Sequence, residues 1–383
     1  MVENELKWYE IVSIFFGIIL GFADPITDIL TLVEFYPEDH KTWFGVGLSF
    51  IILPLLYFSI INVLQTYNGQ NVECWNCCWT TCTFGCIPLF PALMKLRVLI
   101  VYLKKKFPNV WRDNNIESPD NRTNENPLND MNQLLEFRKL AVLAEAVLES
   151  APQFIIQLYA MAVEQQSVKI VQMVSLPVSF LSMAWASIVA DEFLHSDEGD
   201  LNFSVKDRVL HYVTHLFILS SRLFAVALFT VSFKWKVTSV LIFHCMVMAI
   251  CDTTIWLCSQ RSCSCRNIYV FVLVFFCFHW LRDDLSMIIT DEETERESKR
   301  KHFRRIQLVS NVLFVIENIT MILLFYFSHF PHTWYSLPVT ICVCLFSVLG
   351  AFMRLTHFYF LRRDLDDQST IPIVNSYYNG IRC

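Results

Sequence analysis

Glycine is scarce in this chain, 9 of 383 residues, when ~7% is usual. No G-x-x-x-x-G-K-[ST] or G-x-G-x-x-G string occurs, so the backbone loop that would cradle ATP or a dinucleotide is missing. Charge is sparse as well. Only 17% of residues are charged, and 30 Lys and Arg stand against 36 Asp and Glu for a net charge of −6. Such a chain has no basic surplus to neutralise a phosphate backbone, which excludes nucleic acid as a partner. The cysteines cluster at Cys74, Cys77, Cys78, Cys82 and Cys86 and at Cys263 and Cys265, with no histidine in either group. Reduced thiols at membrane edges, some of them palmitoylated, fit that pattern better than a zinc site. No metal, other cofactor or enzymatic activity is expected.

What the chain has in excess is apolar surface. Hydrophobic residues make up 54% of it, and the mean hydropathy of +0.42 belongs to a membrane protein. Crossing a hydrocarbon core of ~30 Å takes a helix of about 20 apolar residues. Ten apolar segments can be drawn, over 10–35, 43–66, 80–103, 139–163, 168–190, 208–232, 236–258, 267–290, 306–328 and 337–361. The third carries Pro88 and Pro91 before Lys95 and Arg97, and the eighth meets Arg282, Asp283 and Asp284. Prolines and charges at those depths predict re-entrant pieces. The expected fold is all-α: a polytopic membrane bundle of eight spanning and two re-entrant helices. The broken element falls third in each set of five, which predicts two pseudo-symmetric halves, 1–205 and 206–363, and a tail over 364–383.

Positive charge orients the bundle. Lys104 to Lys106, Arg112, Arg122, Arg138 and Lys139 fall in one inside loop, and Arg296 to Arg305 in another. The loops on the other face hold only Lys41, Lys169, Lys234 and Lys236. Both termini are therefore expected in the cytoplasm, with the first segment an uncleaved anchor. That orientation leaves the glycosylation patterns at Asn121, Asn202 and Asn318 unused.

The informative residues are acids within apolar segments. Asp24 and Asp28, like Glu145 and Glu149, are spaced i, i+4, which in an α-helix puts each pair on one face, and Gln153 continues the second stripe. Asp252 and Glu317 add two acids, while Arg222 and Arg354 are the bases. An ionisable group at the bilayer centre costs roughly 2.5–3.5 kcal/mol on insertion scales, so these side chains must face one another or water. Six acids against two bases leave some carboxyls solvated, protonated or awaiting a cationic ligand. Two readings stand at this point, a structural network that sets helix register and a polar track through the protein. Pro25 and Pro152 lie within the same stripes, where each frees a carbonyl or bends its helix.

The stretches ADPITD, EAVLESAPQFIIQLY, SRLFAVALF and IEN together resemble the XK-related family of membrane proteins, through nearly the whole length. The resemblance implies a bundle of eight spanning and two partial helices. Several members are phospholipid scramblases that expose phosphatidylserine in apoptosis after a caspase cuts a cytoplasmic terminus. Others serve as subunits of complexes, so a single-pass accessory subunit is among the implied partners. On matching positions, the lipid path would comprise Asp24, Asp28, Glu145, Glu149, Gln153 and Arg222, with Asp252, Glu317 and Arg354 as further path or ion-pair residues. Candidate caspase sites are the Asp-x-x-Asp strings ending at Asp200 and Asp367, although Leu201 and Gln368 follow them where a small residue is preferred.

The expected function is thus passive, ATP-independent scrambling of phospholipid in the plasma membrane. Midplane acids and helix breaks also describe a solute or ion transporter, and a non-catalytic subunit would use its ion pairs only to hold the bundle together.

Overall fold

The computed structural model describes residues 8–36, 41–67, 93, 96, 99–100, 103, 142, 145–164, 169–195, 205–244, 246–247, 293–328 and 333–356. These residues are helical, with short turns and no strand among them. In chain order the helices are α1 (Trp8–Phe35), α2 (Lys41–Tyr67), a π-turn (Ala146–Ser150) leading into α3 (Ala151–Glu164), α4 (Ile170–His195), α5 (Val205–Phe233), α6 (Glu293–Ser328) and α7 (Ser336–Thr356). A further helical stretch covers 236–244. Five helices are long and apolar enough to cross a membrane among the described residues, within α1, α4, α5, α6 and α7. That composition and length make the chain a multi-pass membrane protein. Segment 80–103, expected to be re-entrant, is described at five helical positions only, and 267–290 lies outside the described residues, as does the tail over 364–383.

Helix α5 is the central post, packing against α3, α4, α6 and α7. Most of its apolar contacts fall in two clusters. Leu219 and Leu223 join Leu148, Phe154 and Met183 between α3, α4 and α5, while Val226 and Phe229 join Met321, Phe325 and Val343 between α5, α6 and α7. Lipid tails are as apolar as leucine, so association in a bilayer depends on close packing. Helix α7 shows how. Its buried stripe is Ser336, Thr340, Val343, Ser347, Gly350 and Arg354, at three- and four-residue spacing, and the small residues among them admit a close neighbour. A Cβ added at Gly350 would come within 3.2 Å of the Ile218 backbone nitrogen. The opposite stripe, Leu337, Ile341, Leu345, Val348 and Phe352, is exposed and apolar, as a lipid-facing surface must be.

Prolines are absorbed without ending helices. Helix α1 runs through Pro25, α2 through Pro54 and α4 through Pro177. Pro152 is accommodated differently, because the π-turn immediately precedes it and the Ala151 N–H bonds to the Ala146 carbonyl, five residues back. The wider turn makes room for the proline ring, which in a regular helix clashes with the carbonyl four residues earlier.

Candidate functional site

Two polar networks lie within the bundle. The first is built on α1. Asp24 and Asp28 are 1% and 0% exposed, and Glu145 and Glu149 from the π-turn region are each 3% exposed. Each aspartate accepts from side chains outside α1. Ser150 Oγ donates to Asp24 Oδ2 at 2.6 Å. Asp28 Oδ1 accepts from Gln157 Nε2 at 3.0 Å, Ser175 Oγ at 2.9 Å and Ser179 Oγ at 3.3 Å, which ties α1 to α3 and α4 through one atom. The other oxygen, Asp28 Oδ2, and Glu149 Oε1 are buried with no hydrogen-bond partner among the described residues. Glu149 lies within electrostatic reach of Glu145, Asp28 and Asp24, so four carboxyl groups share one small volume. Among the described residues, no group of three or more His, Cys, Asp or Glu is placed to hold a metal ion.

Gln153 completes this network on the α2 side. Its Nε2 donates to the Gly47 carbonyl at 2.5 Å. Glycine leaves room for it: a Cβ at Gly47 would collide with Leu32 Cδ2 and stand 3.2 Å from Gln153 Oε1, so both side chains would have to turn aside.

The second network joins α5 to α6. Arg222 Nη2 donates to Glu317 Oε1 at 3.0 Å and Nη1 to Asn318 Oδ1 at 3.0 Å, and the guanidinium carbon sits 5.7 Å from the Phe314 ring centroid. The second Glu317 oxygen lies 2.6 Å from His244 Nδ1. Asn318 Nδ2 donates in turn to Ser221 Oγ at 3.4 Å. Phe154, next to Gln153 in the chain, packs its ring 6.1 Å from Phe180 on α4 and 5.8 Å from Phe224 on α5.

Several sequence expectations change shape here. The i, i+4 geometry holds for Asp24 and Asp28 in α1. It does not hold in regular form for Glu145 and Glu149, because the turn between them is a π-turn with a longer period than the α-helix. Arg222, placed beside those acids by the sequence reading, has Glu317 as its carboxylate partner on α6. Asn318, read as part of an unused glycosylation pattern and of the IEN motif, is a fully buried ligand of the arginine. Arg354 is buried on α7. Asp252, Asp200 and Asp367 lie outside the described residues.

Sequence reasoning missed Ser150, Gln157, Ser175, Ser179 and His244. A signal existed for three of them, Gln157, Ser175 and Ser179. Gln153 and Gln157, like Ser175 and Ser179, recur at four-residue spacing in apolar helices, and a polar stripe there implies buried partners. His244 carried no such pattern.

Comparison with known proteins converges on one family. The model of the XK-related family, described as "XK-related protein", matches residues 12–363. Among curated relatives, XK-related protein 9 of Tetraodon nigroviridis is 24% identical over 221 residues, covering 55% of this chain and 57% of the relative. The aligned part is thus little more than half of that relative's length.

Proposed function

The chain belongs to the XK-related family, and on that premise we propose that it is a passive, ATP-independent phospholipid scramblase that exposes phosphatidylserine at the cell surface. The observation that carries this reading is the carboxyl-rich seam of Asp24, Asp28, Glu145 and Glu149, lined by Ser150, Gln153 and Gln157 inside membrane helices. A headgroup cannot enter hydrocarbon without losing its hydration, a cost far above thermal energy. Polar side chains that replace water along the way lower that barrier while the acyl tails stay in lipid. The carboxyls meet the headgroup amine, and serine and glutamine hydrogen-bond its ester oxygens. For Arg222 to meet the phosphate it exchanges Glu317 for it, since carboxylate and phosphate occupy the same guanidinium fork.

In the conformation described the acids are sealed, so scrambling requires α1 to part from α3 and α4 and exchange the Asp28 hydrogen bonds for headgroup contacts. A closed resting state is consistent with a protein that must preserve membrane asymmetry until it is triggered. Caspase cutting at Asp367 or Asp200 in apoptosis is part of the proposal, as are a plasma-membrane location and cytoplasmic termini. The near-complete burial also favours a second reading, a non-catalytic subunit whose acids only lock helices together.

Reconstituted liposomes with fluorescent lipids decide between them. Asp28→Asn with Glu149→Gln keeps the shape and removes the charge. The double variant is expected to fold and to slow flipping at least about tenfold, the effect of ~1.4 kcal/mol on a barrier. Normal flipping by the folded variant would refute the path. Absence of flipping by the unmodified protein, before and after caspase treatment, supports the subunit reading, and uptake of a cation without lipid exchange would indicate a transporter.

A further inference from the structure

Asp28 is bonded unevenly. Three donors, the Gln157 amide and the hydroxyls of Ser175 and Ser179, converge on its Oδ1, while Oδ2 is buried with no hydrogen-bond partner among the described residues. A carboxylate spreads its charge over two accepting oxygens, so stranding one of them away from water is costly. A neutral carboxyl behaves differently. Its carbonyl oxygen accepts, and its other oxygen carries a hydrogen and donates.

The rest of the seam is short of hydrogens in the same way. Glu149, Gln153 and Gln157 follow one another at four-residue steps and form one stripe. Glu149 Oε1, Gln153 Oε1 and Gln157 Oε1 are buried without a hydrogen-bond partner among the described residues, and all are acceptors. The donors around them are already engaged. Gln157 Nε2 donates to Asp28 and to Ser175, and Gln153 Nε2 to Gly47. The Ser150 hydroxyl goes to Asp24, those of Ser175 and Ser179 go to Asp28, and that of Thr31 goes to the Thr27 carbonyl. One hydrogen on Asp28 Oδ2 and one on Glu149 Oε1 would turn the four stranded acceptors into two donors and two acceptors.

No base offsets these two acids among the described residues. The charges that act on Glu149 are Glu145, Asp28 and Asp24, and the one that acts on Asp28 is Asp24. Helix α1 has no Lys, Arg or His, and neither does the stretch from Glu145 to Glu164. On α2 the only base is Lys41, its first residue. The charged groups of α4, Asp191, Glu192 and His195, begin 12 residues or ~18 Å beyond Ser179. Helix α5 carries Lys206, Arg208, His211, His215 and Arg222, of which Arg222 pairs with Glu317 and none is among the charges acting on Asp28 or Glu149. Lys95, Arg97, Arg138 and Lys139 lie outside the described residues. Anions crowded into a dry volume repel one another and forgo hydration, and a bound proton relieves both.

We propose that Asp28 and Glu149 each hold a proton in the closed bundle and give it up to water when α1 parts from α3 and α4. The protons act as a latch. As neutral groups the two carboxyls can donate to amide oxygens that lack a donor. As wetted carboxylates they are the anionic partners that a headgroup amine requires. The closed bundle thus binds protons that the open one releases, so acid favours the closed state and base the open one. The closed-to-open ratio falls by up to about tenfold per pH unit for each proton released. Only the release step rests on the scramblase reading, and the held protons do not.

The test uses the full chain in phosphatidylcholine vesicles at about pH 6 and about pH 8, both above the ~4 at which a solvated carboxyl titrates. Infrared spectroscopy reads the carbonyl stretch of protonated carboxyls, which is expected at the lower pH and should weaken in Asp28→Asn and in Glu149→Gln. Thermal unfolding supplies the second measurement. From the lower to the higher pH, the Tm of the unmodified protein is expected to fall relative to that of the double variant, whose amides have no such proton to lose. That comparison removes the contribution of His211, His215 and His244, which both proteins share. If the double variant does not fold, each single variant is expected to lose part of the pH response. An infrared band that is absent, or undiminished in both variants, would overturn the held protons, as would equal pH responses of the Tm. Faster flipping of fluorescent lipid at the higher pH supports release on opening, and equal flipping at both would overturn that step. A protein that shows the band and the pH response but never flips lipid keeps the held protons and refutes the scramblase reading.

Discussion

Arg222 and Glu317 meet at 3.0 Å across the interface of α5 and α6. The carboxylate is also held by His244 and the guanidinium by Asn318. A charge pair in this position fixes the rotation of both helices, since turning either one strands a charge within the bundle.

Removing one partner should therefore do more damage than removing both. Arg222→Met is expected to destabilise the protein by about 3–5 kcal/mol, the usual cost of leaving a buried charge alone. Arg222→Met with Glu317→Met should recover part of that loss. Thermal unfolding of the purified single and double variants measures the coupling, and strictly additive losses would show that the two residues do not act as a pair.

Gly350 is where α7 comes nearest to α5. Gly350→Ala places a methyl group 2.8 Å from Ile218 Cγ1 and 3.2 Å from a backbone nitrogen. The side chain can turn away, whereas the backbone can move only with its helix. A loss of about 1–3 kcal/mol is expected, as for other overpacked sites, and Gly350→Val should be worse. Ile218→Ala should rescue only part of it, because the nitrogen stays in place. An unchanged melting temperature for Gly350→Ala would mean that the helices are less tightly apposed than described.

Pro152 sets the rotation of the acids that precede it. Pro152→Ala restores the N–H needed for a regular helical turn and removes the ring clash, so the π-turn is expected to relax and swing Glu145 and Glu149 relative to Gln153. Thermal stability should hold or rise, while lipid flipping in liposomes should fall. A variant that is more stable and flips lipid normally would separate the π-turn from the proposed path.

Hydropathy made the membrane class and most helix positions legible. The segments drawn over 10–35 and 208–232 match α1 and α5 to within a few residues, because a bilayer requires a long apolar run whatever surrounds it. The buried acids were legible for the related reason that lipid tolerates them so rarely. Helix α6 shows a limit of this reading. Apolarity begins near residue 306, but the helix starts at Glu293, since a backbone can stay helical beyond the membrane where hydropathy carries no signal.

Partner choice was decided by the tertiary structure alone. Counting six acids against two bases could not tell that Arg222 bonds to Glu317 and Asn318 while one oxygen of Asp28 accepts from an amide and two hydroxyls. Spacing along one helix defines a face, but which helix covers that face depends on close approaches such as Gly47 to Gln153 and Gly350 to Ile218. These are distances between segments far apart in the chain, and they arise only when the whole bundle packs. The sequence itself determined that charge would be enclosed within apolar helices. Packing separated that charge into an acidic seam around α1 and the Arg222–Glu317 pair between α5 and α6.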